Sequence, residues 1–188
     1  AFKSLHNNVM SGPDLEGGPP PGHAQQNLRY TSRNTKGSLK LSGILDRYPG
    51  LRLEGLSCAD LGCNVGGFTR ELLRRGAGKV AAVDTGYGTL DWDLRSDKRV
   101  VVMERRNALH LQGELKGLDL VVSDLAWTRQ SLVVPVVFGY LNPEGCFFSL
   151  LKPQYEQSGA GRRRPLLEEE AALELASRVR DSLDVPEG

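Results

Sequence analysis

The chain has 188 residues, 24 Lys and Arg against 23 Asp and Glu, a formal charge of +1 and 39% hydrophobic residues. That suits one domain with one core and excludes a wholly basic polymer binder of the histone type, while leaving room for a local basic patch. The longest apolar stretches, such as Leu132 to Phe138, fall far short of the roughly 20 residues of a membrane helix. Cys58, Cys63 and Cys146 form no CxxC pair, so neither a disulfide framework nor a metal site is indicated, and a reducing, cytoplasmic setting is expected.

In chain order, residues 1–28 carry Gly17-Gly18-Pro19-Pro20-Pro21-Gly22 and almost no periodic apolar residues, the composition of a disordered or flexible tail ahead of a domain spanning 29–188. The start lacks both an initiator methionine and the apolar core of a signal peptide, so the chain reads as a fragment. Leu39, Leu41, Ile44 and Leu45 predict an amphipathic helix over 36–48, stopped by Pro49-Gly50. An apolar strand over 56–61, a Gly-rich turn, a helix over 68–75 and a strand over 79–84 follow. Next come a short helix near 90–95, a strand over 100–103 and a nearly uninterrupted Leu/Val strand over 118–124, the pattern of a strand buried on both faces. A helical stretch over 131–141 ends at Asn142-Pro143-Glu144-Gly145, which reads as a turn, before a fifth strand over 146–151. The Glu/Ala/Leu-rich segment 165–183 is a last helix. Strands alternating with helices predict an open, doubly wound, mostly parallel α/β sheet, whose ligands bind at the carboxyl ends of the strands.

The strand ends are therefore where chemistry is expected. After the first strand, Asp60-Leu61-Gly62-Cys63-Asn64-Val65-Gly66-Gly67-Phe68-Thr69 puts three glycines at a strand-to-helix turn, where backbone can approach a ligand closely. The spacing is neither the Gly-x-Gly-x-x-Gly of dinucleotide binders nor a phosphate loop, which disfavours nicotinamide and ATP. Asp84 follows about 20 residues on, placed either as a helix cap or, as we favour, to accept both hydroxyls of a ribose. Asn107 offers an amide to an adenine edge. Asp124 and Lys152, at the ends of the fourth and fifth strands, form either a packing ion pair or a shared site. Trp127 is either a core aromatic or an exposed stacking surface for a splayed base.

Together these residues resemble the S-adenosylmethionine-dependent methyltransferases of the FtsJ-like class, and within it the TlyA haemolysin/ribosomal RNA methyltransferase branch. The resemblance rests on Asp60-Leu61-Gly62 with Gly66-Gly67-Phe68-Thr69, Val83-Asp84-Thr85-Gly86-Tyr87-Gly88 with Leu90-Asp91-Trp92, and Leu151-Lys152-Pro153-Gln154-Tyr155-Glu156. It implies a Rossmann-like fold and methylation of a ribose 2′-hydroxyl, with ribosomal RNA the expected substrate and partner and neither metal nor membrane involved. It implies S-adenosylmethionine held by Asp60, Gly62, Asn64, Gly66, Gly67 and Phe68 at the methionine end, Asp84 and Thr85 at the ribose, Asn107 at the adenine, and Asp124 beside the methyl group. Lys40, Asp124 and Lys152 match three members of the class's Lys-Asp-Lys-Glu tetrad. Lys152 would assist the 2′-hydroxyl, either as a base whose ammonium form its neighbours disfavour or as a cation stabilising the alkoxide. Asp124 would hold the ammonium and Lys40 would complete the charge balance.

The sequence also departs from the class. Its last two strands and its glutamate are expected beyond the final helix and are lacking here, and Glu156 does not take that glutamate's place by sequence. The alternative reading is accordingly a cofactor- or RNA-binding module with incomplete catalytic machinery. Lys36 competes with Lys40 for the first tetrad position, because the run Arg33-Asn34-Thr35-Lys36-Gly37-Ser38 is longer than the usual one. Arg33, Lys36 and Trp127 are the candidate RNA contacts; Arg33 and Lys36 belong to a basic stretch from Arg29 to Arg52 that contains Asp46 as its one acid. A base or small-molecule methyltransferase is disfavoured, since Asp124-Leu125-Ala126-Trp127 stands where exocyclic-amine enzymes carry Asn-Pro-Pro-Tyr.

Overall fold

The computed structural model describes residues 35–156 and 168–183. The expected tail over 1–28, Arg33 and the Arg162-Arg163-Arg164 run lie outside the described residues.

Helix α1 (Lys36–Leu45) starts at a reciprocal cap: the Ser38 N–H donates to Thr35 Oγ1 at 3.1 Å, and the Thr35 N–H donates to Ser38 Oγ at 2.8 Å. It ends one turn before the expected Tyr48. The alternation then runs β1 (Ser57–Leu61), α2 (Gly67–Arg74), β2 (Lys79–Asp84), α3 (Trp92–Arg95), β3 (Val100–Glu104), β4 (Leu118–Ser123), α4 (Gln130–Phe138), β5 (Leu141–Ser149), α5 (Pro153–Glu156) and α6 (Glu169–Ser182).

The five strands form one sheet, all pairs parallel, in the order β3-β2-β1-β4-β5. The order reverses direction between β1 and β4, so the switch point lies at their carboxyl ends, beside the glycine turn and Asp124. Apolar residues cover both faces, as crossover helices require. On one face Leu41, Leu45, Leu72, Leu73 and Leu94 from α1, α2 and α3 pack on Val80, Ala82, Leu120 and Val122. On the other, Val133, Val134 and Val137 of α4, with Tyr140 and Leu111, pack on Ala59, Leu61, Val83 and Val121.

Asn142-Pro143-Glu144-Gly145 is not a turn ahead of the fifth strand. Leu141 already pairs with Leu118, and Cys146 next pairs with Leu120, so the four residues bulge out of β5. Gly145 is needed there, because a Cβ on it would stand 2.7 Å from the Leu118 carbonyl oxygen.

Candidate active site

The glycine turn owes its shape to left-handed backbone at Gly62 (φ 85°), Asn64 (φ 49°) and Gly66 (φ 95°). A Cβ on Gly66 would overlap Leu94 Cδ1 and come within 2.7 Å of Leu90 Cδ1; one on Gly67 would stand 2.8 Å from Thr35 Oγ1; one on Gly62 would stand 3.2 Å from the Asp124 carbonyl oxygen. These glycines thus have a reason within the protein beside any ligand: the start of α1, Leu90 and Leu94 around α3, and the end of β4 crowd them.

Asp60 and Phe68 are 1% and 5% exposed and work inside the fold. Asp60 Oδ2 accepts the Thr69 N–H at 2.8 Å and the Thr69 hydroxyl at 2.7 Å, tying β1 to the first turn of α2. Burial pushes the Asp60 carboxyl up to about 7; the Thr69 hydrogen bonds pull the other way, and the charges of Asp124 and Asp84 add to the rise. Phe68 packs in the core with Leu72 and Leu94. Their contribution to any ligand is the placement of the turn's backbone.

Asp84 is partly exposed at the end of β2. Its Oδ2 accepts the Asn64 N–H at 2.9 Å and its Oδ1 the Gly86 N–H at 2.7 Å. One backbone donor on each oxygen fixes the carboxylate and leaves acceptor capacity on both, as a ribose diol requires. Thr85 and Asn107 are exposed on the same edge; Asn107 Oδ1 accepts the Leu109 N–H at 3.0 Å. The segment bearing Asn107 is anchored by buried Tyr140, whose hydroxyl donates to the Ala108 carbonyl at 2.8 Å and accepts the Leu111 N–H at 3.0 Å.

Three elements converge on Asp124. Lys152, after β5, sets its Nζ 2.5 Å from Asp124 Oδ1 and donates to the Asp124 carbonyl oxygen at 3.1 Å. Lys40, from α1, places its Nζ 3.4 Å from Asp124 Oδ2. The side chains of Asp124 and Lys152 are 22% and 25% exposed, so this contact is sheltered; Lys40, at 52%, makes a looser one. Lys36, one turn earlier and exposed, makes no ion pair with Asp124 among the described residues, so geometry brings Lys40 to this place. Glu156 is engaged elsewhere, its Oε1 accepting the N–H of Gln130, the first residue of α4, at 2.8 Å, a carboxylate at a helix N-terminus.

Trp127 is not a core aromatic. It is 67% exposed, has φ 64°, and lies 5.0 Å between ring centroids from Tyr155. Sequence reasoning missed the clamp that holds α3: buried Arg70 donates to both oxygens of Asp93 at 2.6 and 3.1 Å and to Asp91 at 2.8 Å. A helical Arg and two Asp about 20 residues away, one in α3 and one at its N-cap, carry no local signal. The cysteine thiols at β1 and the turn, Cys58 and Cys63, are buried; burial raises both, Cys58 to about 12. A cavity of about 500 Å³ lies elsewhere, along β2 and β3 under residues 114–118, and includes none of the site residues above. Among the described residues no group of His, Cys, Asp or Glu could hold a metal, and no helix is long and apolar enough to cross a membrane.

A parallel α/β sheet with a glycine turn, an aspartate fixed by two backbone donors and a Lys-Asp-Lys cluster along one edge defines a methyltransferase fold of the Rossmann-like kind. The FtsJ-like methyltransferase model matches residues 33–160, and the chain belongs to that family. It is 40% identical over 155 residues to the 16S/23S rRNA (cytidine-2′-O)-methyltransferase TlyA of Mycobacterium tuberculosis, covering 78% of this chain and 58% of that protein. The chain thus spans little more than half the length of that relative. The solved structure of a protein described as a hemolysin from Lactococcus lactis superposes with a TM-score of 0.70 at 30% identity, covering 78% of this chain and 72% of that one. Fibrillarin from Aeropyrum pernix, solved with S-adenosyl-L-methionine bound, matches with a TM-score of 0.51 at 18% identity over 76% of this chain and 64% of that one, a likeness of fold alone.

Proposed function

We propose that this chain carries the catalytic domain of an S-adenosylmethionine-dependent RNA methyltransferase acting on a ribose 2′-hydroxyl, with ribosomal RNA as substrate and the cytoplasm as its setting. The observation that carries the reading is the Lys40–Asp124–Lys152 cluster, at 3.4 and 2.5 Å, beside the switch point of the sheet. The relative's named reaction, 2′-O-methylation of rRNA cytidine, supports the same assignment.

The residues fit the cofactor. Asp84 keeps acceptor capacity on both oxygens for a ribose diol, Asn107 and Thr85 are exposed beyond it, and the backbone of the turn through Gly62, Asn64, Gly66 and Gly67 takes the methionine end, with Gly62 lying against Asp124. When bound, S-adenosylmethionine supplies a methyl group on a sulfonium centre, already a good electrophile. What remains for the protein is alignment and charge. Lys152, held between the carboxylate and the carbonyl of Asp124, would face the 2′-hydroxyl, either accepting its proton as the oxygen takes the methyl group or, as a cation, stabilising an alkoxide whose proton has passed to solvent. Asp124 orients Lys152, and Lys40 balances the second oxygen of the carboxylate. Exposed Trp127, beside this cluster, offers a face to the target base, and Lys36 with Arg33 contributes positive charge for RNA phosphates.

The test is calorimetric titration with S-adenosylmethionine followed by transfer of tritiated methyl to ribosomal RNA. Binding with transfer supports the reading. Binding without transfer favours a cofactor- or RNA-binding module instead.

A further inference from the structure

Three exposed side chains on the β2–β3 side of the edge have no part in the cluster at Asp124. Tyr87 is 69% exposed and Trp92 80%. The Arg105 guanidinium lies 4.2 Å from the centroid of the Tyr87 ring. Arg105 has no ion pair with a carboxylate among the described residues, and its backbone is held at φ 54°, a conformation that costs a non-glycine residue. Its N–H donates to the Gly86 carbonyl at 3.0 Å, which keeps the end of β3 against the loop that bears Tyr87.

One buried carboxylate displays all three. Glu104 Oε1 accepts the Gly88 N–H at 2.9 Å, beside Tyr87, and pairs with Arg95, one turn along α3 from Trp92. Glu104 itself precedes Arg105. An uncompensated guanidinium stacked on an exposed ring, with a second exposed aromatic one turn along α3 from the Arg95 that shares Glu104, is the chemistry that binds single-stranded nucleic acid: rings stack on bases and the cation meets phosphate.

We propose that Tyr87, Arg105 and Trp92 form a second RNA-contact platform that takes unpaired nucleotides flanking the methylated one. This rests on the RNA reading of the site. Strands β2 and β3 lie two and three places from β4, so the platform sits about 10–14 Å from Asp124 along the edge.

The experiment uses the whole chain and three variants, Trp92→Ala, Tyr87→Leu and Arg105→Gln. Each is titrated with a fluorescein-labelled single-stranded oligoribonucleotide at several salt concentrations, and separately with S-adenosylmethionine. We expect RNA affinity to fall about tenfold in each aromatic variant. In Arg105→Gln the slope of log affinity against log salt should flatten by about 0.7, with cofactor affinity unchanged in all three. Variants that keep wild-type RNA affinity and salt slope would overturn the platform while leaving the catalytic reading intact. Variants that lose cofactor affinity and not RNA affinity would overturn it in favour of a cofactor lid. A wild-type chain that binds cofactor but no RNA would overturn the underlying RNA reading and the platform with it.

Discussion

Gly66→Ala separates two reasons for a glycine in the turn. If the residue is glycine because a ligand must approach the backbone, alanine should fold normally and bind cofactor poorly. The structure gives the other reason. Gly66 has φ 95°, and an added Cβ would overlap Leu94 Cδ1 and stand 2.7 Å from Leu90 Cδ1, both buried in the core that joins α3 to α2. Left-handed backbone costs an L-residue roughly 1–2 kcal/mol, and overpacking a core adds about 1–3 kcal/mol, so the loss should be about 2–5 kcal/mol. Gly88→Ala is the control: its φ is 74°, but nothing stands within 4 Å of the added Cβ, so only the backbone cost of about 1–2 kcal/mol applies. Urea denaturation of the two variants, followed by circular dichroism, measures both. A Gly66→Ala chain as stable as Gly88→Ala, with its loss confined to S-adenosylmethionine affinity, would refute the packing argument.

Asp60→Asn should change the pH dependence of stability. The native carboxyl sits near 7 against an ordinary 3.8, so the folded state holds the proton more tightly, and stability is greatest at low pH and falls as pH rises from about 4 through about 7. At 1.36 kcal/mol per pKa unit the full loss is about 4 kcal/mol. Asparagine removes that loss, so urea midpoints should separate in the variant's favour as pH rises from about 4 to about 7 and keep that gap above it; profiles that run parallel from pH 4 to 7 would contradict the burial argument. Tyr140→Phe strands the Ala108 carbonyl and the Leu111 N–H in the core and should cost about 1–3 kcal/mol by thermal or urea unfolding. Asp84→Ala should weaken S-adenosylmethionine binding with little change in melting temperature, and unchanged affinity by calorimetry would remove Asp84 from the ribose.

The alternation of strands and helices was legible because a parallel sheet buried on both faces writes nearly continuous Val/Leu runs, as in Leu118 to Val122 with Asp119 its one polar residue. The residues of the cluster were legible as strand-end charges, but their contact was not. Lys40 lies 84 residues before Asp124, and only the packing of α1 against α2 decides between it and Lys36. Asn142-Pro143-Glu144-Gly145 misled because a turn and a bulge use the same residue types, and what distinguishes them is the Leu118 carbonyl under Gly145, contributed by another strand. Trp127 could not be assigned to core or surface from sequence, since its exposure depends on where the loop after β4 lies relative to Tyr155. Nothing local in the sequence marks Glu104, Arg70 or Tyr140, whose partners come from other elements of the fold.

The most direct test compares the wild-type chain with Lys152→Ala for transfer of tritiated methyl from S-adenosylmethionine to ribosomal RNA, with the labelled nucleoside identified after digestion and cofactor binding measured on the same preparations. Both chains should bind the cofactor, and only the wild type should leave label, on a ribose 2′-oxygen. Label on a base, or full transfer by Lys152→Ala, would contradict the assignment of the Lys40–Asp124–Lys152 cluster.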